Sequence, residues 1–550
     1  VEKFHDKVIY QAYPKSFKDT TGNGMGDLNG VREKLPYLAD LGVDMIWLNP
    51  FYQSPQNDNG YDVADYCSVD PMFGTMEDFD DLLAEAKKRG MDLMLDMVLN
   101  HTSTAHEWFQ KALAGEKKYQ DYYILREPKE DGSYPTNWVS KFGGPAWAPF
   151  ADTGKYYLHL FDETQADLNW RNPEVREEMV KVVKFWLEKG VKGFRFDVIN
   201  LIGKDEELID ATDGVGKYLY TDRPIAHEFI RELNEKTYGQ YDDIITVGEM
   251  SSTTVENGIK YSNPEQNELS MIFSFHHLKV DYKDGEKWTI MPFDFQELKK
   301  ILDEWQAGMS DGNGWNALFW NNHDQPRSNS RFGDPKNYPF ETATMLAQTI
   351  HLLRGTPYIY QGEEIGMTNP NYENISDYVD IETKNAYREL KENGWDEKEI
   401  LEVIREKSRD NSRTPMQWAE SEHAGFTTGE PWLKVPENYR TINVKSGKLS
   451  NEIRDYYKQL IQLRKEYAVI SRGTYRAIQL DHASIYAYLR EDERHEVLVV
   501  NNFYGKIALF EVPEEWLQGA SHLIGNHPER NLEKSLELQP YETIAFVKKK

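Results

Sequence analysis

The chain has 550 residues, with 64 Lys and Arg against 92 Asp and Glu and a net charge of −28. That excess repels nucleic acid and anionic membrane surfaces, so neither is expected as a partner. Aromatic residues spread along the whole length exclude a disordered chain, and the length implies two or three domains. A single cysteine, Cys67, cannot form an internal disulfide and fits a reducing compartment. With no signal-like apolar stretch and no run of about 18 apolar residues, a cytoplasmic protein is expected, monomeric or weakly oligomeric.

Short apolar and β-branched runs alternate with amphipathic helices. The runs are VIYQAY (8–13), MIWL (45–48), MDLMLDMV (91–98), GFRFDVI (193–199), IITVGE (244–249), MIFSF (271–275), ALFW (317–320) and PYIY (357–360). Thr75 with Asp78 forms a capping-box pattern, Phe79, Leu82, Leu83 and Ala86 share one face, and Gly90 marks the stop. Asn172-Pro173 opens a further helix, whose Val175, Met179, Val182, Val183 and Trp186 share a face before Gly190. Eight strands with crossover helices predict an α/β fold, a (β/α)8 TIM barrel.

The long gap after the third run is rich in Gly, Pro, Trp and Tyr and predicts an inserted domain at 101–168, between barrel segments 1–100 and 169–468. After a last barrel helix over 451–467 the pattern changes to alternation in SIYAYLR (484–490), EVLVVNN (496–502) and ETIAFVK (542–548). That change predicts a C-terminal all-β sandwich domain at 469–550.

In a TIM barrel the chemistry sits at the C-terminal ends of the strands. Asn100 and His101 follow the third run, Arg195 and Asp197 end the fourth, Glu249 ends the fifth, and His323 and Asp324 follow the seventh. Three strands therefore deliver a carboxylate to one mouth. Retaining glycoside hydrolysis needs a carboxylate nucleophile and a carboxylic acid/base about 5–5.5 Å apart. Asp197 and Glu249, on neighbouring strands, suit that separation. Arg195, two residues before Asp197 and on the same side of its strand, is expected to hold Asp197 ionised, while Glu249 must stay protonated.

DMVLNH (96–101), GFRFDVIN (193–200), VGEM (247–250) and NNHDQPR (321–327) resemble, in order and spacing, the signature regions of the α-amylase family of glycoside hydrolases. The resemblance covers nearly the whole chain. It implies Asp197 as nucleophile, Glu249 as general acid/base and Asp324 as the residue that grips sugar hydroxyls while the ring distorts. It also implies glucose contacts from His101, Arg195 and His323. NGYD (59–62) and SRTPMQW (412–418) resemble the pocket-closing segments of the exo-acting, oligo-1,6-glucosidase-like branch. By that likeness Asp58 and Arg413 pair at the pocket floor and Tyr61 stacks beneath the terminal glucose.

Two further stretches, VGEMSSTTVENGIKY (247–261) and FSFHHLKVDYKDGEKW (273–288), resemble the branch that acts on trehalose 6-phosphate. The substrate this implies is a small phosphorylated disaccharide, cleaved to glucose and glucose 6-phosphate, with Lys279 and Lys287 as the phosphate contacts. A basic cluster in an acidic protein suits a dianionic sugar. Neutral isomaltose-type sugars are the alternative. A non-catalytic barrel, like the ectodomains of amino-acid-transporter heavy chains, is the remote one. No cofactor is needed for the chemistry. The family's Ca2+ loop corresponds to DTTGNGMGD (19–27), with Asp19, Thr21, Asn23, Met25 and Asp27 at the ligand positions. Thr21 stands where an acidic or amide ligand is usual, so an empty turn or Mg2+ fits as well.

Overall fold

The computed structural model describes residues 4–550. Eight parallel strands form the barrel: β1 (Ile9–Ala12), β2 (Met45–Leu48), β3 (Asp92–Met97), β4 (Gly193–Phe196), β5 (Ile245–Glu249), β6 (Met271–Phe273), β7 (Ala317–Leu318) and β8 (Thr356–Tyr360). They pair in the order β6-β5-β4-β3-β2-β1-β8-β7, and a parallel bridge between Ile272 and Asn316 joins the two ends. Each expected run thus contributes one strand.

The helices between strands obey their sequence signals. In Met76–Lys88 the capping box is present: Thr75 accepts from the Asp78 amide while the Asp78 carboxylate accepts from the Thr75 amide, and Phe79, Leu82, Leu83 and Ala86 are buried. In Pro173–Lys189 Asn172 caps the start, and Gly190 ends it in the left-handed region at φ 106°. A side chain there would be strained, which is why glycine stops the helix.

After β3 the chain leaves the barrel. His101–Ser103 pairs antiparallel with Gln165–Asp167, forming the neck of a small excursion that holds a three-stranded sheet. A second long excursion, between β8 and the helix Lys448–Glu466, carries the helices Ile381–Glu392, Glu397–Lys407 and Asp410–Arg413. Nothing in the periodicity marks that excursion as a module, and it supplies the pocket floor.

Beyond Thr474 the chain is antiparallel, with a five-stranded sheet and a two-stranded ribbon. Alternation along Ile485–Glu491 serves two cores. Ile485, Ala487 and Leu489 face Phe510, Trp516, Leu536 and Leu538, while Tyr486 and Tyr488 join the barrel's cluster. Tyr488 donates to the Thr349 carbonyl at 2.8 Å and Arg490 to the Leu352 carbonyl at 2.7 Å, fastening this domain to the barrel. No helix of the described residues is long and apolar enough to cross a membrane.

Candidate active site

A cavity of about 510 Å3 opens at the C-terminal end of the barrel, lined by Asp58, Tyr61, His101, Asp197, Glu249, Lys279, Lys287, His323 and Asp324 among others. Arg195 and Arg413, both fully buried, stand behind its wall. Strand register explains the centre. Asp96 on β3 lies level with Arg195 on β4, and Arg195 lies level with Val247 on β5, so Asp197 and Glu249 each project one pleat further towards the mouth.

Arg195 is 3.0 Å from Asp96, 2.7 Å from Asp197 and 2.6 Å from Glu249. The expected contact with Asp197 is present, and the guanidinium is also shared with two further acids because three neighbouring strands converge on it. One fixed cation cannot neutralise three buried carboxylates, so a proton is retained. Burial, and the charges of Asp197 and Asp324, push Glu249 well above the carboxylate range. Burial also raises Asp197, against the lowering effects of Arg195 and of its hydrogen bond with Glu249. That bond lowers Asp197 and raises Glu249, so the shared proton rests on Glu249. Val198, next in the chain, sits at φ 36° and ψ 40°. For a β-branched residue this is strained backbone beside the reacting carboxyls.

Asp324 lies 3.2 Å from His323, 2.9 Å from Arg413 and 3.5 Å from Arg409. Burial would raise it, but His323 and the two arginines outweigh burial and hold it well below the usual range. The Gln11 amide donates to His323 Nδ1 at 3.0 Å, so Nε2 carries the hydrogen that faces Asp324. His101 is likewise neutral. Burial lowers it to about 4, Asn100 donates to its Nδ1 at 3.1 Å, and its Nε2–H donates to the Tyr61 carbonyl, also at 3.1 Å. Tyr61 stacks on His323 with ring centroids 5.1 Å apart and planes 4° apart, and its hydroxyl donates to Asp96 at 2.7 Å.

The floor differs from the expected Asp58–Arg413 pair. Asp58 accepts from Arg409 at 2.9 Å and from Gln165 at 3.0 Å, whereas Arg413 reaches Asp324 and the His323 carbonyl. Arg409 precedes the single helical turn Asp410–Arg413 and Arg413 ends it, and Arg409 is the one that reaches Asp58. Asp380, fully buried, lies 2.5 Å from Arg409 and 3.6 Å from Arg413. Lys287 lines the same cavity with its ammonium ion-paired to Glu382. Lys279 reaches solvent through the cavity, and its enclosure by the cavity walls, with repulsion from Lys217 and Lys287, lowers its pKa.

The 19–27 loop lies away from this cavity. Asp19 accepts from the amides of Thr21, Gly22 and Gly24 and from the Thr427 hydroxyl, and Asp27 accepts from Thr20 and caps the next helix through Gly30. Thr21 donates its hydroxyl to Asp19, and Asn23 accepts from the Met25 amide. These hydrogen bonds fix the shape of the loop, whose side-chain oxygens from Asp19, Thr21, Asn23 and Asp27 are the donor types that Ca2+ takes. No group of three or more His, Cys, Asp or Glu that could hold a metal occurs among the described residues.

Sequence reasoning missed Asp96, Arg409 and Asp380. Asp96 had a signal, being a carboxylate inside an apolar strand that needs a buried cation. Arg409 and Asp380 had none: Asp58 lies 351 residues from Arg409, and no motif ties Asp380 to an arginine 29 residues on.

Residues 11–473 match the alpha-amylase catalytic domain, and residues 485–545 match the C-terminal domain of the alpha-amylase SusG. The chain belongs to the α-amylase family. It is 54% identical to a trehalose-6-phosphate hydrolase of Bacillus subtilis, over 98% of this chain and 97% of that one. It is 47% identical to an oligo-1,6-glucosidase of Parageobacillus thermoglucosidasius, over 98% of each. The crystal structure of a Bacillus licheniformis trehalose-6-phosphate hydrolase superposes with a TM-score of 0.95 at 53% identity, covering 99% of both chains.

Proposed function

We propose that this chain is a retaining, exo-acting α-glucosidase that hydrolyses trehalose 6-phosphate to glucose and glucose 6-phosphate. Ionised Asp197 attacks the anomeric carbon while Glu249 protonates the departing glycosidic oxygen. Glu249, now a carboxylate, then takes a proton from the water that releases the covalently held glucose. Asp324, held ionised by two arginines, accepts hydrogen bonds from the sugar hydroxyls as the ring flattens, with His101 and His323 alongside. Asp58 and Arg409 close the floor, which limits cleavage to the terminal glucose.

Retention is supported by the placement of the Asp197 and Glu249 carboxyls on one guanidinium, 2.7 and 2.6 Å from Arg195. Carboxyls held by a single guanidinium fit the spacing of about 5–5.5 Å that retaining enzymes use, rather than the about 6.5–9.5 Å that leaves room for an inverting enzyme's water. The observation that carries the substrate reading is Lys279, exposed in the same cavity without an ion-pair partner among the described residues. A neutral aglycone sugar gives that ammonium nothing to neutralise. A phosphorylated substrate also fits the expected intracellular setting.

The deciding experiment compares kcat/KM for trehalose 6-phosphate and isomaltose and follows the released glucose by proton NMR. Preference for the phosphorylated sugar and α-glucose as first product are expected. Preference for isomaltose overturns the substrate, and β-glucose overturns the mechanism.

A further inference from the structure

The cavity carries two lysines beyond those that the motifs single out. Lys141 comes from the excursion after β3, Lys217 from the segment between β4 and β5, and both line the cavity with Lys279. Neither has an acidic partner within ion-pair distance among the described residues, in contrast to Lys287 with its Glu382. The segments bearing them are joined. The Val139 amide donates to the Val215 carbonyl at 3.0 Å, and Gly216 packs so closely on Trp138 that a Cβ there would lie 2.8 Å from the indole.

The turn bearing Lys141 is fixed on its other side as well. The Lys141 amide donates to the Leu160 carbonyl at 2.7 Å and the Ser140 hydroxyl to the Phe161 carbonyl at 2.6 Å. The Lys141 ammonium itself lies 5.4 Å over the Tyr220 ring, on the same short helix as Lys217. Two loops from different parts of the barrel are thus held as one rigid edge that presents two cations. The charge of Lys217 acts on both Lys141 and Lys279, so the three ammonium groups repel one another. Like charges held together without counter-ions define a site for a multivalent anion, and a rigid edge lowers the entropy cost of binding it.

We propose that Lys141 and Lys217 form, with Lys279, the anion-binding wall of this cavity, and that they select a phosphorylated over a neutral sugar on the leaving-group side. The proposal rests on the hydrolase reading above. Lys287, paired with Glu382, adjoins this wall in the same cavity.

A pH signature follows. Burial, then Lys217 and Lys279, lower Lys141 to about 7, against the opposing pull of Glu249 and Asp167. The other charges facing its turn are Glu389, which closes on Gly143, and Arg409, 5.0 Å over the Phe142 ring. A phosphate dianion beside Lys141 raises its affinity for a proton, so above pH about 7 binding takes one proton up from solvent and affinity falls. The ratio of kcat/KM for trehalose 6-phosphate to that for p-nitrophenyl α-glucoside isolates this effect, because the catalytic carboxyls act on both substrates.

The test measures that ratio from pH 6 to 9 for the wild type, Lys141→Ala, Lys217→Ala and Lys141→Arg. Each alanine variant should lower the ratio about tenfold, through KM for the phosphorylated sugar. In the wild type the ratio should fall above pH about 7, and in Lys141→Arg it should stay flat, since arginine keeps its charge. Lys217 is exposed, so its variant tests the wall without a folding risk. Unchanged ratios in an enzyme that cleaves trehalose 6-phosphate overturn the three-lysine wall alone. A wild type that ignores trehalose 6-phosphate overturns the substrate reading beneath it.

Discussion

Arg409 donates to Asp58 across 2.9 Å, and this pair, rather than Asp58 with Arg413, closes the pocket floor. The same guanidinium holds Asp380, so one cation compensates two buried carboxylates. Arg409→Met leaves Asp58 without its cation and Asp380 with only the more distant Arg413, and should cost about 3–5 kcal/mol of folding stability. Urea unfolding followed by circular dichroism measures it. Adding Asp380→Asn should restore part of the loss, and a double mutant no more stable than the single would show that the pair is not coupled.

The proton assigned to Glu249 matters most when the leaving group is poor. Glu249→Gln should reduce kcat by about 10²–10⁴-fold with trehalose 6-phosphate, because glucose 6-phosphate must leave as an alkoxide without it. With p-nitrophenyl α-glucoside the leaving group needs no proton, and the first step should be far less affected. A burst of p-nitrophenol in stopped flow is the readout. Equal losses on the two substrates would contradict the acid role.

Asp96 raises the pKa of Asp197 by its charge while drawing on the Arg195 guanidinium that lowers it. In Asp96→Asn the repulsion disappears and Arg195 turns more fully to Asp197, so the Asp197 pKa falls. The sign is fixed: the ionised nucleophile persists to lower pH, and the acid limb of the kcat/KM profile moves to lower pH. A profile taken from pH 4 to 9 with the aryl glucoside checks it, and a limb that moves to higher pH would refute the shared-cation account.

How far the chain could be read from its letters differs from residue to residue. Thr75, Asp78, Asn172, Pro173 and Gly190 act on amides and dihedrals within a few residues of themselves, so the helices they bound were legible. Asp197 and Glu249 were legible because a strand's end fixes which side chain meets the barrel mouth. Asp96 was half legible: its place in an apolar strand required a cation, but which cation depended on the register between β3 and β4. The Asp58 partner was misassigned and the Lys141–Lys217 edge went unseen, since each pairs segments that only folding brings together.

By itself, then, the order of residues determined the barrel, its eight strands, the acids at its mouth and the family to which the chain belongs. These depend on local periodicity and on motifs that lie close in the chain. Tertiary structure alone decided which arginine neutralises which carboxylate, that Lys287 is held by Glu382, and that Lys141 and Lys217 stand uncompensated beside Lys279. The physical reason is that charge interactions fall off with distance in space and not with separation along the chain, so the site's electrostatics exist only once the loops have met.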